Sequence, residues 1–76
     1  EFLNLASNQV IDLTPLATLP RLATINLTSN QVSDLSPLLD MAVLKQVWVR
    51  DNPLSGRTRN EVVPALRAKG IFVVGL

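Results

Sequence analysis

Hydrophobic and polar positions recur along this chain with a step of 22 residues. Residues that occupy equivalent places are Leu3, Ile25 and Val47; Leu5, Leu27 and Val49; Val10, Val32 and Leu54; and Leu22, Leu44 and Leu66. Within each copy, two apolar residues alternate with their neighbours, a pattern that predicts a short strand with one buried face. A repeat of this length indicates a solenoid in which each copy is one coil and neighbouring coils share a core.

A second phrase of the repeat predicts the side of the coil opposite the strands. The run D-L-[ST]-P-L occurs at residues 12–16 and again at residues 34–38. A hydroxyl residue followed by proline favours the start of a helical turn, with the hydroxyl as cap and the proline presetting φ. We therefore expect a tight 3₁₀ turn at each proline. Asp12 and Asp34 stack in adjacent coils, and we interpret each as capping its own turn rather than as an acid/base or calcium pair.

The end of the chain departs from the repeat and predicts a helix followed by a strand. Thr58 and Glu61 have the spacing of a capping box, and apolar residues at helical spacing follow them. Pro64 lies inside this helix, so we expect a kink or break beside it. Gly70 is the predicted helix stop. The apolar run at 71–74 is predicted to form a final strand beside Val47–Val49.

An asparagine occupies the corner where each predicted strand ends. These residues are Asn8, Asn30 and Asn52, again 22 residues apart. The chain turns inward at this corner and leaves backbone N–H and C=O groups that need partners. Because a carboxamide both donates and accepts, a stacked ladder of these side chains satisfies those groups.

The repeat fits the template L-x-x-L-x-L-x-x-N-x-L, which residues 22–32 and 44–54 fill completely. With its 22-residue length and D-L-[ST]-P-L phrase, the chain resembles the internalin-like class of leucine-rich-repeat proteins, common in bacterial surface proteins. The resemblance implies an α/β fold: a right-handed solenoid with short parallel strands on the concave face and 3₁₀ or helical turns on the convex face. It also implies one domain over residues 1–76, with about two and a half repeats in 1–55 and a C-terminal capping helix and strand in 56–76.

Composition narrows the range of functions. The 76 residues contain no cysteine and no histidine, which removes disulfides, thiolate metal sites and the commonest general base. We therefore expect no enzyme activity, no cofactor and no metal. Residues 1–44 carry one basic and four acidic side chains, a net charge of −3, and residues 45–76 carry six and two, a net charge of +4. Binding to nucleic acid is not expected, since no aromatic platform accompanies the basic half, and no apolar run is long enough to span a membrane.

The predicted function is non-catalytic protein–protein recognition, which the family resemblance implies. Binding by repeat proteins usually uses strand residues that point outward. The candidate partner-binding residues are Thr24, Asn26, Thr28, Gln46, Trp48 and Arg50. Tryptophan and arginine are enriched in binding hot spots, which favours Trp48 and Arg50 as the centre. The alternative is that Trp48 only shields the strand at 71–74.

Two further expectations concern assembly and context. The first strand lies at an edge, and its residues Phe2, Leu3, Asn4, Leu5 and Ala6 form a candidate self-association segment. A homodimer about a twofold axis pairs this segment antiparallel with its copy. A standard interface uses about 20–30 residues a side, so about ten outward residues suggest the C-terminal part of a longer solenoid. The internalin-like resemblance implies an extracellular or cell-surface location.

Overall fold

Four short parallel strands, one from each successive coil, form a single sheet. A computed structural model describes residues 2–19 and 21–76; Glu1, where the predicted domain begins, is outside them. The strands are β1 (Phe2–Asn4), β2 (Thr24–Asn26), β3 (Gln46–Trp48) and β4 (Phe72–Val74), adjacent in that order. Leu3 pairs with Ile25, Ile25 with Val47, and Val47 with Val73. The parallel strands and their 22-residue register are thus confirmed, as is the final strand beside β3.

The core lies between successive coils, behind the sheet. Side chains with no exposed surface are those of Ile25, Leu27, Val32, Leu35, Leu38, Val47 and Leu66. The equivalent residues of the first coil are only partly buried: Leu3 corresponds to Ile25, and Leu5 corresponds to Leu27. Each coil is therefore covered by the coil on either side of it, since one coil alone cannot bury its apolar face.

The turns opposite the sheet are 3₁₀, at Thr14–Thr18 and Ser36–Asp40, as predicted. Neither turn has the predicted hydroxyl cap, whereas an aspartate accepts hydrogen bonds at the start of each turn, as predicted. Asp12 Oδ1 accepts the backbone N–H of Thr14 at 2.9 Å and its hydroxyl at 2.6 Å. Asp34 Oδ1 accepts the N–H of Ser36 at 2.8 Å. Each aspartate therefore accepts the N–H of the hydroxyl residue two positions on, a group that the hydroxyl of that same residue would not have capped.

The corner asparagines connect each coil to the one before it. Asn30 Nδ2 donates to the carbonyl oxygens of Leu27 and, across the coil boundary, Leu5, both at 2.9 Å. Its Oδ1 accepts the N–H of Val10 at 3.0 Å. One buried side chain therefore satisfies backbone groups of two coils.

Asn52 repeats the arrangement one coil later. Its Nδ2 donates to Leu27 O at 2.8 Å, and its Oδ1 accepts the N–H of Val32 at 3.0 Å. Asn8 donates to Leu5 O and Ala6 O, within its own coil. Within residues 2–19 and 21–76, no buried side-chain nitrogen or oxygen lacks a hydrogen-bond partner.

The residue before each corner asparagine adopts the left-handed conformation. Ser7, Ser29 and Asp51 have φ of 59°, 60° and 59°. This region is uncommon for residues with a Cβ, so each corner carries backbone strain. The repeat tolerates it because the same turn delivers the following asparagine into the ladder.

The helical segment begins earlier than predicted, and its cap is a different residue. Thr58 was the predicted N-cap, but it lies inside the helix with a 1% exposed side chain. Ser55 is the cap: its carbonyl accepts the N–H of Arg59 at 3.0 Å, and its Oγ accepts that of Thr58 at 3.1 Å. Thr58 Oγ1 instead donates to Ser33 O of the preceding coil at 2.7 Å. Glu61, the predicted box acid, pairs with exposed Arg57 at 3.3 Å.

Pro64 changes the helix without ending it. A π-helical turn spans Thr58–Val62, and helix α1 follows at Val63–Ala68. The N–H of Val63 donates to Thr58 O, five residues back. The wider turn lies immediately before the proline, which has no N–H to donate, so the predicted irregularity is a π turn rather than a break.

Gly70 ends the helix as predicted. Its φ is +85°, and its N–H donates to Arg67 O at 3.0 Å. The N–H of Ile71 donates to Leu66 O at 3.1 Å. These two bonds form a Schellman motif, which directs the chain into β4.

We expect Asn30→Leu to destabilise the fold although leucine is more apolar. The change removes the side-chain acceptor of the N–H of Val10 and one of the two side-chain donors to the carbonyl of Leu5, at a cost of about 2 kcal/mol. Urea unfolding measures the loss. Asn8→Leu is the matched control, since Asn8 is exposed and bonds only within its own coil, and it should cost under about 1 kcal/mol. Equal losses for the two variants would contradict the role assigned to Asn30.

The turn aspartates make stability depend on pH in the acid range. Hydrogen bonds from Thr14 lower the pKa of Asp12 below 3.8, and those from Ser36 lower the pKa of Asp34. Because the pKa is lower in the folded state, the ionised carboxylate stabilises the fold above pH 3.8. This stabilisation is lost as the pH falls through the folded-state pKa. The double variant Asp12→Asn/Asp34→Asn keeps an acceptor and should show a flatter urea midpoint between about pH 2 and pH 5. Asp40→Asn is the control, and an equal flattening there would refute the assignment.

Candidate functional site

The candidate site is the outward face of the sheet, formed by strand residues whose side chains point away from the core. The predicted rows are Phe2, Asn4 and Ala6; Thr24, Asn26 and Thr28; and Gln46, Trp48 and Arg50. The strand register places Thr24 beside Gln46 and Asn26 beside Trp48. These side chains are exposed or half-buried, whereas the residues between them are more deeply buried. The predicted partner-binding residues therefore share one continuous surface.

Trp48 contacts an aromatic ring two strands away. Its ring centroid lies 5.8 Å from that of Phe2, with an edge-to-face angle of 65°. Because Phe2 is on β1 and Trp48 on β3, the pair spans β2. Ile71 and Val73 are buried on the inward face, so an indole on the outward face is not what shields them. Trp48 is paired in the sheet register with outward Val74, so its contact role and its shielding of the last strand both stay predictions.

Arg50 lies at the end of β3, where the backbone is fixed on both sides. Its carbonyl accepts the N–H of Ser29 at 2.8 Å and Asn52 Nδ2 at 3.1 Å. On its other side is Gly75, with a φ of +99°; a Cβ there would lie 2.8 Å from Arg50 N. The side chain of Arg50 is exposed, so its guanidinium is accessible from solvent while its backbone is held in place.

Polar groups occupy the middle of the face. The Oδ1 atoms of Asn4 and Asn26 accept the N–H groups of Ala6 and Thr28, each at 3.0 Å. These bonds fix each carboxamide, and among the described residues its Nδ2 atom makes no further hydrogen bond. Two oriented donors are therefore available beside the aromatic pair.

The first two coils match a known family model, described as Leucine Rich repeats (2 copies), over residues 1–40. The chain belongs to the leucine-rich-repeat family. A search of curated proteins found no match. The match confirms the leucine-rich-repeat part of the resemblance, while the internalin-like class stays a prediction. The parallel sheet with 3₁₀ turns fits a leucine-rich-repeat α/β solenoid. Proteins of this family typically mediate protein–protein interaction without catalysis.

The leucine-rich-repeat pattern did not reveal the outward residues of β4. Phe72 is 71% exposed and Val74 40% exposed, and both extend the outward face beyond β3. In the sequence they belong to an apolar run, which hides the alternation of inward and outward residues. Their direction follows from the pairing of Val73 with inward Val47 in the sheet, which the 22-residue step does not give. The face is thus apolar at its two lateral edges and polar between them.

The predicted self-association segment lies at the other edge of the leucine-rich-repeat sheet. Phe2 is 55% exposed, and Leu3 and Leu5 are half-buried. Ile25 and Leu27, their equivalents one coil later, have no exposed surface. The segment therefore leaves partly exposed the apolar positions whose equivalents in the next coil are completely buried.

The two other kinds of site are metal-binding clusters and membrane-spanning helices. Residues 2–19 and 21–76 contain no group of three or more aspartate, glutamate, histidine or cysteine side chains that could hold a metal ion. In the same residues, no helix has both the length and the apolar character needed to cross a membrane.

Proposed function

We propose that the outward face of the sheet binds a protein partner, with Trp48 and Arg50 at the centre of the contact. The observation that carries the proposal is the edge-to-face pair of Phe2 and Trp48, which places two aromatic rings on a surface bordered by oriented polar groups. Aromatic and arginine side chains contribute most of the binding energy in many interfaces. The remaining predicted contacts, Thr24, Asn26, Thr28 and Gln46, form the polar surround.

The proposal includes finer features of the fold that the resemblance implies. The outward face is the concave face of a right-handed solenoid of the internalin-like class, with an extracellular or cell-surface location. Residues 1–55 supply the repeats, and residues 56–76 close the core as a C-terminal cap. Support for the cap comes from Val62, Val63 and Leu66, which are at most 5% exposed and pack against the last coils.

Trp48→Ala should weaken binding to ligands of the outward face by at least about tenfold, because a central aromatic anchor is lost. The probes are peptides selected on the wild-type domain from a random phage-displayed library, and fluorescence anisotropy gives their Kd. Arg50→Ala should act in the same direction. Val43→Ala is the control, since Val43 is 42% exposed and lies outside the strands. Selected peptides that bind Trp48→Ala as tightly as the wild type would refute this site.

The second candidate function is self-association through the segment Phe2–Ala6. The specific observation is the incomplete burial of Leu3 and Leu5, together with exposed Ile11 and Leu19 in the same coil. Apolar residues beside a sheet edge favour pairing with another chain. In the proposed homodimer the two segments run antiparallel about a twofold axis.

Leu5→Lys should abolish this association while sparing ligand binding at Trp48, because a charge would be buried in the dimer contact. Sedimentation equilibrium over a range of concentrations measures the mass of both proteins, and circular dichroism checks that the variant is folded. Trp48→Ala should keep the wild-type mass. A wild-type protein that stays monomeric at high concentration would exclude the homodimer.

A further inference from the structure

A groove lies along the edge of β4 that no other described strand covers, next to the part of the outward face that Phe72 and Val74 extend. Its volume is about 430 Å³, and it is lined by Arg67, Gly70, Ile71, Phe72, Val73 and Val74. Gly70 contributes no side chain, and a Cβ built there would meet nothing within 4 Å. The groove is therefore open along the strand.

The backbone of β4 presents to this groove hydrogen-bonding groups that do not pair with β3. The bonds to its neighbour use the even-numbered residues: the N–H of Phe72 donates to Lys45 O, and Val74 O accepts the N–H of Val49, both at 2.9 Å. Backbone groups of successive residues in a strand point to opposite edges. The N–H and C=O of Val73 therefore face the groove.

Arg67 lies on this edge and is the only charged residue among those that line the groove. Its Nη2 donates to Val73 O at 3.4 Å, a long bond that leaves most of the guanidinium donors uncommitted. The groove has no acidic residue, and residues 45–76 carry a net charge of +4. The complementary ligand is an anion that also offers backbone hydrogen bonds.

We propose that the β4 groove binds an extended acidic peptide segment of a partner protein as an additional strand of the sheet. The peptide backbone pairs with the N–H and C=O of Val73, as in other cases of strand addition. A carboxylate of the peptide replaces Val73 O as the partner of Arg67, forming a charge-assisted, bidentate pair. Exposed Phe72 packs against an apolar side chain of the peptide.

The test uses two short, acetylated and amidated peptides that differ in charge alone. Valine alternates with glutamate in one and with lysine in the other, and each is titrated into ¹⁵N-labelled protein. We expect the glutamate peptide to shift the backbone amide resonance of Val73 and to bind about tenfold more tightly than the lysine peptide.

Arg67→Glu should reverse this preference in favour of the lysine peptide, a gain of binding that misfolding cannot produce. Arg59→Glu makes the same charge change on the exposed helical surface, outside the groove, and should keep the wild-type preference. The proposal is overturned if Arg59→Glu acts like Arg67→Glu, if neither peptide shifts Val73, or if the shifts centre on Trp48. A rise in mass with protein concentration, together with a shift of the Val73 amide resonance without peptide, would also overturn it, since the occupant would then be a second copy.

Discussion

The fold depends on one constraint, the hydrogen bonding of the backbone where each strand ends. The chain turns inward there and cannot satisfy its own N–H and C=O groups with a ladder to the next strand. Asn30 and Asn52 supply the missing donors and acceptor, and each reaches back to the preceding coil. Because these bonds have fixed lengths, they also fix how far apart the coils stack and in which register.

That register is what gives the outward face its shape. Asn26 lies beside Trp48, and Leu3 beside Ile25, only if every coil has the same length up to its corner. Trp48 can then reach across β2 to Phe2. The outward surface, made of residues far apart in sequence, thus depends on asparagine side chains that lie outside it.

The repeat predicted the strands, their order, the 3₁₀ turns and the corner asparagines because each depends on a local pattern that recurs. It misplaced the helix cap because Thr58 and Glu61 have capping-box spacing, whereas Ser55 is followed by a glycine and an arginine that give no such signal. The contact of Trp48 with Phe2 depends on side-chain rotamers across two strands, which no residue spacing encodes. The groove beside Arg67 likewise arises from the packing of a helix end on a strand edge.

Loss of the carboxamide at one corner asparagine would reverse the sign of a contact between coils. Deamidation converts a carboxamide to a carboxylate, which accepts hydrogen bonds but cannot donate them. At Asn30 the new oxygen would face the carbonyl oxygens of Leu5 and Leu27, which now lie 2.9 Å from Nδ2. Hydrolysis of one amide would thus turn an attraction between two coils into a repulsion. The burial of Asn30 between the coils thus protects the chemical group on which the stacking of those coils depends.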